Sequence, residues 1–343
     1  VSRLRKSGGH RRALNWGLRG LAVVVALLTL AVPAYAYWDA TRPPGVELAE
    51  QVETPLPAQA VELPGGMPSY SKGVIVLCYH SIVSEPGDPY AVGPAHFAAQ
   101  MAALKAAGFH TITAEEFAAY VNGEEVELPE KPLMLSFDDG IKTNWIYADP
   151  ILQQVGFHAT EYLITGDVSR HQPYYLSWPE VEAMDASGDW SFGSHTDLGH
   201  GFIVTDAQGD EGPFLTNREW LPKLGRLETT AEYKERVTTD LNRSIAMIER
   251  HGLPRPVTFA YPFSAVESSN DPKLSPLIEE IIAQRFPAPV DNRTEDTLLM
   301  PGGEKPLSRV EVFHGTRTRA LLKQLRNTIE HDETGRKAAY GEP

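Results

Sequence analysis

Two aspartates stand side by side in Ser136-Phe137-Asp138-Asp139-Gly140, directly after the apolar run Pro132-Leu133-Met134-Leu135. The run reads as a buried strand and Gly140 as the start of a sharp turn. Neighbouring side chains of a strand point to opposite faces, but at a strand end the twist relaxes and both carboxylates can reach one cleft. That is where α/β enzymes keep their chemistry. Asp-Gly is also a common turn pair, so this stretch alone fits a solvated turn equally well. A second stretch, Ser194-His195-Thr196-Asp197-Leu198-Gly199-His200, places two histidines five residues apart just past another expected strand. Helical ligand pairs sit four apart on one face, so this spacing suits a loop wrapped round an ion. Two histidines with one carboxylate form a common open site for a catalytic divalent metal. His80 in Cys78-Tyr79-His80 and the turn Tyr261-Pro262-Phe263 also fall at strand ends. Taken singly, these read as a capped histidine and a turn packed by aromatics.

These residues need a frame that gathers strand ends. Expected strands are 74–79, 132–137, 159–164, 190–195, 256–261 and 308–313. Helices are expected from Pro94 to Gly108, over Asn144–Gly156 and Ser177–Gly188, and across 229–251. Thr113 and Glu116 form a capping box that opens a further short helix. Repeated strand–helix units predict a parallel α/β fold with its site at the C-terminal ends of the strands.

The chain has 343 residues, is 42% hydrophobic and 22% charged, and carries a formal net charge of −14. Six Arg and Lys lie in the first 19 residues, and the first acidic residue is Asp39. An apolar run, Leu21 to Val32, precedes Ala34-Tyr35-Ala36. This is the pattern of an export signal over residues 1–36, cleaved after Ala36 or kept as an anchor that meets the membrane. The apolar stretch is short of the roughly 20 residues a comfortable span needs. Without those 36 residues the chain keeps 25 Lys and Arg against 45 Asp and Glu, a net charge of about −20. Such a surface disfavours nucleic acid. Residues 37–72, with six prolines, read as an extended tether. A folded domain is expected over 73–331 and a short tail over 332–343. The single cysteine, Cys78, excludes an internal disulfide and reads as a buried thiol.

Together and in this order, "LCYHSI", "LPEKPLMLSFDDG", "FGSHTDLGH" and "TFAYPF" resemble the polysaccharide deacetylase family, the NodB-homology domain. The tyrosine-histidine start and the histidine spacing resemble its branch of biofilm poly-N-acetylglucosamine deacetylases. The resemblance covers about residues 74–313 and implies a distorted (β/α) barrel. It implies that Asp138 is the catalytic base and that Asp139, His195 and His200 hold a divalent metal: zinc, with cobalt or nickel as alternatives. It further implies His80 as the general acid and the Phe263 backbone N–H as an oxyanion donor. His314 competes for the acid role.

The pattern departs from the family in four places. The arginine that often orients the base is absent from "FAYPFSA"; Ser264 replaces a common glycine; Ile141 replaces a tyrosine; and only Asp291 hints at the usual fourth motif. The expected function is metal-dependent N-deacetylation of an extracellular N-acetylglucosamine polysaccharide by a monomer exported to the envelope or beyond it. Peptidoglycan N-deacetylation, O-acetyl ester hydrolysis and a catalytically silent glycan-binding module are the alternatives.

Overall fold

The computed structural model describes residues 47–85, 87–170, 173–292 and 298–340. The expected export signal and the first ten residues of the expected tether lie outside the described residues.

In chain order the elements are β1 (Ile75–Tyr79), α1 (Pro94–Ala106), β2 (His110–Thr111), α2 (Ala114–Val121), β3 (Pro132–Phe137), α3 (Asp149–Val155) and β4 (Ala159–Leu163). Then come α4 (Thr165–Ser169), α5 (Trp178–Ser187), β5 (Trp190–Ser194), β6 (Phe202–Val204), β7 (Glu211–Pro213), β8 (Trp220–Leu221), β9 (Arg226–Leu227) and α6 (Thr230–Arg250). The chain ends with β10 (Thr258–Ala260), α7 (Leu274–Ala283), β11 (Ala288–Asp291), β12 (Leu307–Ser308), β13 (Val310–Glu311) and α8 (Thr318–Tyr340). The expected capping box at Thr113 and Glu116 is present, and Thr229 with Glu232 forms another at the start of α6. The helix expected from Asn144 opens instead with a π-helical turn, Asn144–Ala148, before α3. The last helix runs on to Tyr340, past the boundary expected at 331.

The wall of the fold is a parallel sheet in the order β12-β11-β10-β5-β4-β3-β1-β13, with β2 also paired to β3. Its two outer strands are halves of one five-residue segment, split only by Arg309. Leu307 and Ser308 pair with Val290 and Asp291 of β11, while Val310 and Glu311 pair with Leu77 and Cys78 of β1. One stretch of chain therefore bridges both edges, and the sheet curls into the nearly closed, distorted (β/α) barrel expected from the sequence. Hairpins β6–β7 and β8–β9 lie outside this sheet.

Strand alternation divides β1 and β3 between two of three apolar clusters. Ile75, Leu77, Tyr79, Leu133, Leu135 and Phe137 join one cluster with the apolar faces of α1, α3 and α8. Val74, Val76, Met134, Tyr162, Ala288, Val290 and Leu307 form a second, smaller cluster. Continuing that second face along the strands in steps of two leads to Cys78 and His80, Ser136 and Asp138, Asn292, and Arg309 and Glu311. The same face is apolar at its N-terminal end and polar at its C-terminal end, which sets the level of the site.

The later half of the expected tether carries no helix or strand but is laid along the domain. Ala49 N–H donates to Glu180 (3.0 Å), and the Trp145 indole N–H donates to the Ala49 carbonyl (2.7 Å). Leu63 and Tyr70 are buried; the Tyr70 hydroxyl donates to the Pro132 carbonyl at 2.8 Å, and its ring meets Phe109 edge-on. Prolines keep the segment extended, and its few large side chains supply the anchors. Tyr70→Ala should cost about 3–5 kcal/mol of stability in urea unfolding. A loss below about 1 kcal/mol would make this segment a peripheral strap.

Candidate active site

The paired aspartates part company through backbone geometry. Asp138 keeps the strand alternation and points into the barrel. Asp139, next along, should face outward, but its φ of +79° turns it back into the cleft. Gly140 follows at φ +70°, where a side chain would press on Leu163. Buried Glu161 of β4 accepts the Gly140 N–H (3.0 Å) and the Asn144 amide, and that amide also donates to the His80 carbonyl (2.9 Å). Glu161 and Asn144 thus fasten the Asp139 turn to the end of β1. Neither was legible as a site residue in the sequence.

Asp139 Oδ1 lies 3.3 Å from Nε2 of both His195 and His200. His195 leaves the end of β5, and its Nδ1 lies 2.8 Å from the Ala260 carbonyl. That carbonyl can only accept, so Nδ1 carries the proton and Nε2 presents a lone pair. The loop to His200 is clamped from α6. Asp240 accepts the backbone N–H of Asp197 (3.0 Å) and of Leu198 (2.8 Å), and Arg243 pairs with the Asp197 carboxylate. Gly199 is required there, since a Cβ would sit 2.8 Å from Phe214 and 3.0 Å from Asp240.

The electrostatics of the trio ask for one positive charge. Burial alone would lower His195, but the Asp139 hydrogen bond and the charges of both aspartates raise it. Burial and the neighbouring His195 push His200 down to about 4. Two imidazole nitrogens and a carboxylate oxygen converging within 4.8 Å are a donor set for a divalent ion, which would replace the shared proton. The residues present therefore fit a metal.

Asp138 stands apart from this trio. Arg309 grips it with two parallel bonds, Nη1 to Oδ1 and Nη2 to Oδ2, each 2.7 Å. Arg309 also donates from Nε to Asn292 (2.8 Å) and from Nη1 to Ser136 (3.2 Å), and its side chain is fully buried. Burial would raise the Asp138 carboxyl, but the charge and hydrogen bonds of Arg309 outweigh it and hold the carboxyl well below the usual range. The sequence reading missed this arginine because it sought one beside Tyr261-Pro262-Phe263. The available signal was the one arginine of the expected strand 308–313, Ser-Arg-Val-Glu-Val-Phe.

A cleft of about 390 Å³ joins these groups, lined by His80, Tyr90, Asp138, Asp139, His195, His200, Tyr261, Phe263, Ser264, Asn292 and Glu311. His80 lies in it with its ring against Tyr90. His314 does not line it; its backbone N–H donates to the Pro89 carbonyl, and its Nδ1 lies 3.3 Å from the Ala91 carbonyl. Asp291 is buried on β11. Phe263 and Ser264 have φ of +57° and +50°, and Thr196 beside His195 has +79°. Of the five non-glycine residues at positive φ among the described residues, Asp139, Phe263 and Ser264 line the cleft and Thr196 adjoins His195. Strain of this kind costs about 1–3 kcal/mol per residue and marks functional sites.

A polysaccharide deacetylase family model matches residues 125–274. That stretch is similar to the polysaccharide deacetylase family. It is 26% identical over 206 residues to the poly-β-1,6-N-acetyl-D-glucosamine N-deacetylase of Escherichia coli K12, covering 56% of this chain and 30% of that protein. Against the enzyme of that name from Staphylococcus aureus MRSA252 it is 26% identical over 194 residues, covering 56% and 58%. The chain thus spans less than two thirds of either relative. Among solved structures, IcaB from Ammonifex degensii matches with a TM-score of 0.57 and 25% identity, over 74% of this chain and 97% of that one. The polysaccharide deacetylase BC0361 from Bacillus cereus matches with 0.54 and 26%, over 74% and 69%. The matched residues 125–274 hold Asp138, Asp139, His195, His200 and Phe263. His80, Asn292, Arg309 and Glu311 lie beyond them.

Arg309→Met should destabilise the domain by about 3–5 kcal/mol at neutral pH, by leaving the Asp138 carboxylate buried and unpaired. The sign with pH follows. In the native pair the folded carboxyl is depressed, so its contribution is present above the unfolded value of about 3.9 and fades as pH falls through the folded one. Without Arg309, burial raises the folded value, and acid relieves the penalty. The stability gap between variant and wild type, read from urea midpoints, should therefore shrink as pH drops from 7 toward 4. A gap independent of pH would separate Arg309 from the ionisation of Asp138.

Proposed function

We propose that the chain removes N-acetyl groups hydrolytically from an extracellular poly-N-acetylglucosamine-like polysaccharide. The observation that carries this reading is the division of the paired carboxylates. Asp139 joins two histidines, while Asp138 is held ionised by Arg309 with one edge of the cleft before it. Metal-assisted hydrolysis of an amide, a poor electrophile with a poor leaving group, uses a ligand set and a separate base.

Asp139, His195 and His200 hold a divalent metal, zinc by its nitrogen and oxygen preferences, with cobalt and nickel also compatible. When bound, the ion polarises the acetyl carbonyl and lowers the pKa of water. Asp138 takes the proton of the attacking water, and Arg309 fixes the direction from which it does so. The backbone N–H of Phe263, presented by its left-handed turn, faces the developing oxyanion. His80 delivers a proton to the nitrogen as the carbon–nitrogen bond breaks, giving acetate and a free amine.

The rim of the cleft supports a sugar substrate. Phe263 and Phe202 stand 48% and 55% exposed and pack together, with the Phe263 ring against His200. Tyr90 and Phe313, also exposed, pack together beside His80. Two aromatic ledges flanking the reactive groups suit the apolar faces of pyranose rings. The expected acidity of the exported chain suits a neutral polymer that becomes cationic as acetyl groups leave. The names of the curated relatives point to the β-1,6-linked polymer, and the expected leader to a place outside the cytoplasm.

Acetate release from defined poly-N-acetylglucosamine oligomers, peptidoglycan and O-acetylated glycan tests the substrate. Release from the first alone supports the reading; release only from another replaces it; release from none, with metal bound, favours a silent binding module. Asp138→Asn should keep the metal and lose turnover by about 10²–10⁴-fold, whereas Asp139→Asn should lose metal affinity. Equal metal loss in both would undo the division. His80→Ala should cut turnover by about 10²–10⁴-fold with metal retained, and His314→Ala should do little. The reverse pattern would move the acid to His314.

A further inference from the structure

We propose that Cys78, His80 and Glu311 form a second cation site in the same cleft, one for a thiophilic divalent ion of the zinc class. Register brings them together. Cys78 and Glu311 are paired residues on neighbouring parallel strands, and His80 is two positions beyond Cys78 on the same face. One potential ligand atom from each lies within 4.8 Å of the other two. A sulfur, an imidazole nitrogen and a carboxylate oxygen are three different donors, none of them shared with the Asp139, His195 and His200 trio.

Two further observations point to a ligand there. His80 Nδ1 is buried and has no hydrogen-bond partner among the described residues, an orphan that a cation would satisfy. Cys78 lies at the polar end of its face rather than among aliphatics. Its sulfur is 3.7 Å from Asp138 Oδ2 and receives only a long contact, 3.6 Å, from the Asn292 amide. That amide also donates to Glu311 Oε1 at 3.0 Å and so holds two of the three donors side by side. Three carboxylates, Asp138, Asp139 and Glu311, line the cleft, and among the described residues Arg309 is the one guanidinium bonded to any of them. The local field favours a further positive charge.

The ion enters where His80, Asn292 and Glu311 meet the cleft, and the Asn292 amide swings away from Cys78. Burial pushes the Cys78 thiol up, so it is protonated at rest. Binding is therefore an exchange: the thiol proton leaves to solvent as the sulfur–metal bond forms, with no change of oxidation state. Thiolate selects zinc-like ions over magnesium or calcium. The consequence rests on the function proposed above. An ion on His80 occupies the imidazole that serves as general acid, so zinc beyond the first equivalent inhibits.

The test is cobalt(II) titration of the metal-free full-length chain, read by stoichiometry and by the near-ultraviolet thiolate-to-cobalt charge-transfer band. Two equivalents are expected, with the band growing only on the second. Cys78→Ser should abolish the band and the second equivalent while keeping the first. Glu311→Gln should weaken the second at least about tenfold, the range seen for loss of a supporting group at a metal site, and it guards against a Cys78 variant that misfolds. Excess zinc should inhibit the wild type but not Cys78→Ser, each measured against its own rate at one equivalent. Saturation at one equivalent without the band, or a second equivalent that lacks the band or survives both variants, overturns the proposal. A single equivalent that carries the band would instead fault the Asp139, His195 and His200 assignment and leave this one standing.

Discussion

The buried pair of Arg309 and Asp138 is the constraint on which the rest depends. Neither charge tolerates the interior alone, and a lone buried ion would cost several kcal/mol. Each therefore demands the other in one geometry, and each is delivered by a different end of the domain. Arg309 comes from the segment that bridges β11 and β1, and Asp138 from the end of β3. The pair ties barrel closure to the orientation of a single carboxylate. Asn292 and Ser136 take up two more of the arginine's donors, so no polar group in the cluster of four is left to wander.

Around that pair, a simple strand rule does most of the placing. Residues in steps of two along β1, β3 and the closing segment climb from an apolar floor to a polar rim. Where the rule would put a functional side chain on the wrong face, the backbone bends into a costly conformation. Asp139 is the clearest case, and its turn is held by donors to Glu161 rather than by its own preference. Strain at the rim is thus supported from below by hydrogen bonds between strand ends and from the side by α6.

The barrel was legible because its central strands are short apolar runs bounded by turn residues; Pro132–Phe137 falls where the run predicts it. The cluster of Asp139, His195 and His200 was legible for a related reason, since its members lie at such ends with a spacing suited to a loop. What escaped was long-range. Arg309 is 171 residues from its partner, and no local pattern announces a pairing over that distance. Glu161 and Asn144 escaped because a carboxylate in a strand and an amide in a helix start look like ordinary surface residues until both are found buried. The two-residue strands β12 and β13 carry too little periodicity to separate from one longer strand. The expected tether was judged by its prolines, which describe its backbone but not the anchoring by Tyr70.

The closing segment has a consequence for how the molecule matures. Its two strands hold only two paired residues each, and they are among the last parts of the barrel to be synthesised. Every member of the Asp139 trio is already in the chain more than a hundred residues earlier. A nascent or locally frayed domain can therefore gather Asp139, His195 and His200 while Asp138 is still unaligned, so that, on the roles proposed above, the ligand set precedes the base. Short edges with few ladder bonds are where native proteins open first. Such a domain would acquire its ion early and its competence late, with the final zip of five residues acting as a built-in maturation step.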